Sequence, residues 1–440
     1  MSTPRSNETQ PAGARPQLLR AVVASTVGTT IEWYDFFLYG SAAALVFPKL
    51  FFPQHDPFVA QLLSFGTFTV GFLSRPLGGI IFGHMGDRKG RKAALVATLL
   101  LMGISTLLVG LVPTYEQIGA IAPLALVVLR FLQGIGVGGE WGGAVLLALE
   151  SGHRGKRGFY ASWPQAGVPL GLLLSTGVLA LFAGRLSEES FLAWGWRIPF
   201  LLSALLIAVG LLIRIWIMET PLFTQIKDED RVAEAPVVEA LRRHWREILL
   251  AAGSRVSENA CFYVFATYVL AYGKNVLDVN ESQVLLAVNL GAAGAFFTIP
   301  LFGLLSDLWS RKGMYLAGNL LLVLFAFPYY ALMAGRSTGS IVAATVVALA
   351  VVHAMLYAVQ ASLIPELFGT RLRYTGASLS YQLAGPVAGG LAPLICVWLA
   401  HHFPGQYWPL ATYLILIAVV STVCICQLSE TARKDISAPD

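Results

Sequence analysis

Two carboxylates lie inside a strongly apolar stretch near the start of the chain, IEWYDFFLYG at residues 31–40. Glu32 and Asp35 both fall well within the apolar run that begins after Arg20. If that run is a membrane-spanning helix, both side chains lie near the middle of the bilayer. A charge at that depth costs at least about 2.5 kcal/mol, so each carboxylate must be paired, hydrated or protonated.

Arginines occur in other apolar stretches. Arg130 lies in VVLRFLQG and Arg255 in GSRVSENACFYVFATY, where Glu258 follows Arg255 by about one helical turn and shares its face. A guanidinium can hold a carboxylate through two hydrogen bonds or keep a neighbouring acid ionised, and Arg255 is our first choice for a bound carboxylate. Arg75 precedes a proline, which leaves structural and binding roles equally open. Arg214 is expected to reach the membrane interface.

The composition predicts an all-α polytopic membrane protein. The 440 residues are 56% hydrophobic and 12% charged, whereas soluble proteins carry about 25% charged residues. The mean hydropathy is +0.67. Twelve apolar runs have spanning length, six on either side of a central polar stretch, near residues 21–47, 58–83, 93–112, 121–149, 159–184, 191–218, 247–273, 282–306, 313–333, 340–364, 375–400 and 407–427.

The distribution of Lys and Arg predicts the orientation, because cytoplasmic loops are enriched in both residues. Most of the 30 Lys and Arg residues fall in the two tails and in the loops on the same side of the membrane as the tails. The loops on the opposite side hold only Lys49, Arg185, Arg197, Lys274 and Arg336. We therefore expect both termini in the cytoplasm. The expected parts are a tail (1–20), a six-helix half (21–218), a linker (219–246), a second half (247–427) and a tail (428–440). The linker holds either an amphipathic helix after Pro236 or a solvated segment.

An internal repeat relates the two halves. The loop GHMGDRKGRK (83–92) corresponds to GLLSDLWSRKG (303–313), which aligns Asp87 with Asp307. Repeats of this kind occur in transporters whose binding site lies at mid-membrane between the halves. The same offset aligns Asp35 with Arg255, so we expect these two side chains to face a common cavity.

These motifs resemble those of the major facilitator superfamily. GHMGDRKGRK is similar to its signature between spans 2 and 3, and RFLQGIGVGGEWGGA (130–144) to the span-4 motif of the metabolite:proton symporters. GTTIEWYDFFLYG, FLAWGWRIPF, METP and PELFGTRLRYTGASLSYQ also match that subfamily, particularly its shikimate and other organic-acid carriers. The resemblance implies two pseudo-symmetric six-helix bundles, spans 1, 4, 7 and 10 around a central cavity, alternating access and proton coupling.

Three groups of candidate residues follow. The proton-coupling candidates are Asp35, Glu32, Glu140 and Glu258. The substrate-binding candidates are Arg255, Arg130, Asp35, Tyr34, Tyr39, Gln133, Gln165, Asn259, Tyr263, His353, Tyr357, Tyr381 and Gln382. The gating candidates, which would hold the inner face closed, are Gly83, Asp87, Arg88, Gly90, Arg91, Asp307 and Arg311. For single polar or aromatic residues among these, interhelical hydrogen bonding is the alternative role.

We expect a secondary transporter that carries a small organic anion with protons across the inner membrane. The alternatives are symport of a zwitterionic solute such as betaine or proline, and proton-driven export. A sensor on the same scaffold and a membrane enzyme are further alternatives, but the sequence contains no catalytic constellation, nucleotide-binding loop or metal-ligand cluster. The partners expected are the substrate, protons and lipid, with no nucleic acid and no cofactor, and the expected state is a monomer.

Overall fold

The chain folds into membrane-length helices. The computed structural model describes residues 14–89, 91–138, 141, 145–146, 148–149, 155–216, 236–369, 372–432 and 434. Within these, side chains are described except at 14–21, 24, 83–84, 86–89, 91–95, 213–216, 236 and 374. Among the described residues, nine helices are long and apolar enough to cross a membrane, and the charged helices that carry Glu32 and Arg255 come in addition.

Six spans form the first half. They are α1 (Ala14–Leu45), α2 (Pro57–Leu73, continued by Arg75–Lys89), α3 (Arg91–Leu111), α4 (Ile121–Gly138), α5 (Arg157–Arg185) and α6 (Glu188–Ser190, continued by Phe191–Gly195, Arg197–Leu201 and Ser203–Trp216). Short helices, Phe47–Phe51 and Tyr115–Ile118, connect α1 to α2 and α3 to α4. The carboxylate of Asp56 starts α2 by accepting the backbone N–H groups of Phe58 and Val59.

Six further spans form the second half. They are α7 (Pro236–Tyr263, Val264–Tyr268 and Val269–Asn275), α8 (Glu281–Leu308), α9 (Arg311–Ala334), α10 (Thr338–Val347, Ala348–His353 and Ala354–Glu366), α11 (Arg373–Ala384, Gly385–Gly390 and Leu391–His402) and α12 (Trp408–Gln427). The expected twelve-helix architecture is confirmed. The expected amphipathic segment after Pro236 is continuous with α7, with a bend at His244, where φ is −124° and ψ is 24°.

The distribution of exposed apolar side chains and buried charged side chains is that of a membrane protein. Large apolar side chains face outward, among them Phe297 at 71% exposure, whereas Arg75, Arg130 and Arg255 are at most 2% exposed. A lipid environment accounts for this arrangement, because apolar surface is compatible with acyl chains and charges are not.

Three helices of the second half contain a π-helical turn. The turns are Val264–Tyr268 in α7, Ala348–His353 in α10 and Gly385–Gly390 in α11. Such turns leave a local break in the regular hydrogen-bond ladder and occur frequently at functional sites. Tyr263, His353 and Gly389 lie at or beside these turns, close to the seam between the halves.

Candidate functional site

A small cavity lies between the two halves. Its volume is about 20 Å³, room for roughly one water molecule. It is lined by Thr29, Glu32, Trp33, Arg75, Val137, Trp141, Val145, Pro164, Gln165, Tyr381 and Gln382. A metabolite therefore needs the halves to move apart before it can enter.

Arg75 is the cation of this cavity. Its guanidinium carbon lies 4.4 Å from the ring centroid of Phe36 and 4.3 Å from that of Phe72, with Trp33 at 5.5 Å. Its Nε and Nη2 atoms are buried and donate to no atom of the described residues. Sequence analysis left the role of Arg75 open, and the geometry makes it a strong candidate for holding an anion.

Glu32 and Asp35 point to different surroundings. Glu32 lines the cavity, whereas Asp35 accepts a 2.5 Å hydrogen bond from Ser203 on α6 and lies within hydrogen-bond reach of Thr106 on α3. Neither Asp35 nor Arg255 lines this small cavity, and the expectation that they face a common transport cavity stays a prediction. Side chains three positions apart on a helix differ in direction by about 60°, which allows Glu32 and Asp35 to have different neighbours.

Arg130 connects the aromatic core to Asp35. Its guanidinium lies 4.1, 4.3 and 4.6 Å from the ring centroids of Phe36, Tyr39 and Phe68. Its Nη1 donates to Gln133 Oε1 at 3.0 Å, and Gln133 Nε2 donates to Thr106 Oγ1 at 2.5 Å. Thr106 in turn lies next to Asp35. Arg130 and Gln133 are thus part of a buried polar chain and do not line the cavity.

Tyr39 packs next to the polar chain formed by Arg130 and Gln133. Tyr34 does not line the cavity. The Tyr39 hydroxyl donates to Thr67 Oγ1 at 2.8 Å, on α2. The Tyr34 hydroxyl donates to the carbonyl of Pro199 at 2.7 Å, on α6. This hydrogen bond joins α1 to α6 within the first half.

Arg255 is bonded within the second half. Its Nε donates to Gln360 at 3.0 Å, its Nη1 to the carbonyl of Tyr381 at 2.5 Å and its Nη2 to Glu258 at 3.2 Å. Glu258 also contacts His353 Nε2 at 3.3 Å. The sequence predicted the Arg255–Glu258 contact correctly, but here Arg255 does not line the cavity.

Further predicted residues surround the cavity from the second half. Tyr381 and Gln382 line it directly, together with Gln165 of the first half. The Tyr263 hydroxyl lies within hydrogen-bond reach of the Arg75 guanidinium, and the Asn259 Oδ1 atom is buried without a donor among the described residues. Tyr357 lies next to His353, with ring centroids 5.1 Å apart.

Trp141 is a cavity residue that the sequence analysis did not select. Its indole stacks on the ring of Tyr381, with centroids 3.8 Å apart, and donates to Gln165 at 3.2 Å. Arg255 lies 3.4 Å from the centroid of the same tyrosine ring. No spacing pattern in the sequence identifies the partner of Trp141 on α11.

The two halves contact each other on both sides of the cavity. We call the face that carries both chain termini the terminal face. On the other face, Thr69 donates to the carbonyl of Gly390 at 2.7 Å, and Phe58 stacks on His401 with centroids 3.7 Å apart. On the terminal face, Gln382 donates to the carbonyl of Gly138 at 2.9 Å. Described residues of the two halves are therefore in contact on both sides of the cavity.

A network of charges also joins the halves at the terminal face. Asp307 of α8 accepts the backbone N–H groups of Gly158 and Phe159, at 2.8 and 2.9 Å, at the start of α5. Arg311 lies 2.7 Å from Asp307 and 3.3 Å from Glu366. Asp307 and Arg311 thus belong to contacts between the halves, and their gating role stays a prediction.

Part of the prediction concerns residues that the structure does not describe. Gly90 and Glu140 lie outside the described residues. For Gly83, Asp87, Arg88 and Arg91 only the helical backbone is described, at the adjoining ends of α2 and α3. Their gating role remains a prediction.

Comparison with known proteins identifies relatives along nearly the whole chain. Residues 20–247 match the family model described as sugar (and other) transporter. The chain is 40% identical to the shikimate transporter of Escherichia coli (strain K12) over 94% of this chain and 95% of that protein. It is 38% identical to the inner membrane metabolite transport protein YhjE of the same strain, over 95% of each, and 36% identical to its proline/betaine transporter, over 96% and 85%.

Solved structures share the fold. The xylose transporter XylE from E. coli, in a partially occluded inward-open conformation, aligns with a TM-score of 0.73 at 16% identity, covering 95% of this chain and 99% of that chain. A D-xylose–proton symporter aligns with a TM-score of 0.70 at 20% identity, covering 92% and 97%.

The chain belongs to the major facilitator superfamily, within its metabolite:proton symporter subfamily. It is a multi-pass membrane transporter of metabolites and not an enzyme.

Proposed function

We propose that this transporter carries a small organic anion together with a proton across the inner membrane. The observation that carries the proposal is Arg75, a buried guanidinium at the cavity whose Nε and Nη2 atoms have no acceptor among the described residues. A carboxylate of the substrate would accept from both atoms once the cavity widens. The name of the shikimate transporter relative supports this substrate class.

The balance of buried charges supports proton coupling. The buried charges of the described core include three arginines, Arg75, Arg130 and Arg255, and three acids, Glu32, Asp35 and Glu258. An anion added to this core brings one more negative charge into a poorly polarisable environment, and a proton bound with it would offset that charge.

Asp35 is our candidate for the proton carrier. Asp35 accepts a hydrogen bond from the Ser203 hydroxyl, and no ion pair within the described residues joins it to an arginine or lysine. Glu258, by contrast, lies between Arg255 and His353. Glu32 and Glu258 remain further candidates for proton coupling.

We further propose that the terminal face is cytoplasmic. We also propose that the two bundles are residues 21–218 and 247–427 and that the linker is 219–246, whose last part from Pro236 continues into α7 past the bend at His244. The enrichment of Lys and Arg on that side supports this orientation. We propose a monomer as the transporting unit, because one chain alone surrounds the cavity.

Transport into proteoliposomes tests the proposal. An inward proton gradient should drive accumulation of radiolabelled shikimate, the probe substrate, and a sodium gradient should not replace it. Asp35→Asn should still exchange shikimate in counterflow but lose accumulation, while Glu32→Gln on the same helix is the comparison. Sodium-dependent, pH-insensitive uptake would overturn proton coupling. If Glu32→Gln loses accumulation while Asp35→Asn retains it, the coupled acid is Glu32.

One observation favours a zwitterionic substrate as a second candidate. Glu32 shares the cavity with Arg75, and aromatic rings at Trp33 and Trp141 could face a cationic ammonium group. The proline/betaine transporter relative agrees with this alternative. Binding to Glu32→Gln separates the two: affinity for a zwitterion such as betaine should fall, whereas affinity for an anion should stay or rise. Loss of shikimate binding in this variant would contradict the anion proposal.

A further inference from the structure

Phe36 lies in contact with two arginines at once. The guanidinium carbon of Arg75 lies 4.4 Å from the Phe36 ring centroid, and that of Arg130 lies 4.1 Å from the same centroid. The separation of the two cations therefore cannot exceed the sum of these distances. Phe36 is 1% exposed, so this contact is shielded from water.

Each arginine leads to a different part of the molecule. Arg75 lines the cavity, and its Nε and Nη2 atoms have no acceptor among the described residues. Arg130 is connected by hydrogen bonds to Gln133 and from there to Thr106, which lies next to Asp35. Phe36 is thus the contact between the proposed anion site and the proposed proton site.

The electrostatics of this contact couple the two sites. The negatively polarised ring attracts both guanidiniums, which holds two like charges near one another. When Asp35 takes up a proton, it no longer offsets the charge of Arg130, and the potential at Arg75 becomes more positive. An anion then binds Arg75 more tightly, and by linkage a bound anion favours protonation of Asp35.

We propose that Phe36 is a positioning residue that couples proton binding at Asp35 to anion binding at Arg75 by holding both guanidiniums against one ring. The inference rests on the proposed function, and deepens it by naming the contact between its two sites. Phe36 touches neither the substrate nor the proton. Its replacement should therefore change the dependence of binding on pH and leave the binding site in place.

The test compares Phe36→Leu with two controls. Phe36→Tyr keeps the ring, and Phe37→Leu removes an equally buried neighbouring ring that packs on Phe262. Equilibrium binding of shikimate to the purified carrier is measured in mildly acidic and mildly alkaline buffer. The wild type, Phe36→Tyr and Phe37→Leu should bind at least about fivefold more tightly in acid, which is the lower end of typical coupling between sites.

The affinity of Phe36→Leu for shikimate should differ by less than about twofold between the two buffers, well below the usual range of coupling between sites. Its counterflow should survive while proton-driven accumulation is lost. If this variant does not fold, Phe36→Met, also without a ring, is judged by the same criterion. A wild-type pH dependence in the non-aromatic variant overturns the role of Phe36 alone. A wild type without any pH dependence overturns the proposed function, and the role of Phe36 falls with it.

Discussion

At the scale of single residues, Arg75, Arg130 and Arg255, three of the buried arginines among the described residues, differ in what their guanidiniums contact. Arg255 makes three hydrogen bonds inside the second half, to Gln360, Tyr381 and Glu258. Arg130 is held by Gln133 and by aromatic rings. At Arg75 the contacts are mainly aromatic, which leaves hydrogen-bond donors for a ligand.

The difference between Arg75 and Arg255 gives a prediction. Arg75→Lys keeps the charge but loses the planar donor pair, so we expect shikimate binding to weaken about tenfold or more, ~1.4 kcal/mol. Arg255→Lys should instead lower the melting temperature, because it leaves buried acceptors at Gln360 and Tyr381 unsatisfied at ~1–3 kcal/mol each.

Calorimetric titration and thermal unfolding of both variants provide the measurement, with the wild type as reference. The assignment fails if Arg255→Lys weakens binding more than Arg75→Lys while both remain as stable as the wild type. Arg255 would then be the anion site, as the sequence suggested, and would have to exchange its present partners for the substrate.

At the scale of secondary-structure elements, the segment after α12 is docked on the terminal face. The Glu430 carboxylate accepts hydrogen bonds from the backbone N–H groups at the start of α9, Arg311 and Lys312, and from Ser310. Thr431 donates to Glu366 at 2.7 Å, and Arg157 of α5 donates to the carbonyl of Lys434 at 2.9 Å. The segment therefore contacts both halves of the molecule.

This docking should depend on pH. Partial burial disfavours the charged form of Glu430, but hydrogen bonds from Ser310 and from the backbone outweigh it and hold its pKa below the ordinary value of 4.5. The stabilisation is therefore present at neutral pH and is lost as the pH falls through that lowered pKa. Glu430→Gln should release the segment at neutral pH and remove its acid transition.

Hydrogen exchange of the Thr431 and Ala432 amides, which both donate to Glu430, reports the docking. Glu189→Gln, an exposed acid on the other face, is the control and should leave this exchange unchanged. Protection of both amides that persists in Glu430→Gln would show that the carboxylate does not hold the segment.

At the scale of the whole molecule, the two halves approach each other closely where α5 meets α8. A Cβ atom at Gly158 would lie 2.6 Å from the carbonyl oxygen of Gly303, so only glycine fits there. Asp307 then caps the start of α5. We expect these contacts across the halves to separate when the terminal face opens.

Asp307→Asn should therefore favour the state open at the terminal face. An amide offers one acceptor oxygen and no charge in place of two charged oxygens, so the start of α5 loses much of its cap. We expect faster hydrogen exchange at Gly158 and Phe159. Counterflow of shikimate should slow while binding changes by less than about tenfold, ~1.4 kcal/mol.

Asp278→Asn, in the loop between α7 and α8 on the other face, is the matched control and should leave both readouts unchanged. Unchanged protection of the two amides in Asp307→Asn would remove Asp307 from the gate. Asp87→Asn, the equivalent change in the first half, should likewise slow cycling without abolishing binding.

The sequence by itself determined the membrane class, the twelve spans and the family, because these depend on hydropathy over long windows and on local motifs. It also identified the buried charges, since any charge in an apolar run is conspicuous, and it paired Arg255 with Glu258 because they are one helical turn apart.

Only the tertiary structure decided which of these charges share a cavity. Glu32 and Asp35 lie on one helix, but the rotation of α1 against α3 and α6 places Asp35 with Ser203 and leaves Glu32 beside Arg75. The stacking of Trp141 on Tyr381 likewise joins residues that are distant in the chain. The hydropathy of a stretch predicts that it lies in the membrane. Which side chains contact each other depends on how separate helices rotate and pack against one another, and no local pattern in the sequence contains that information.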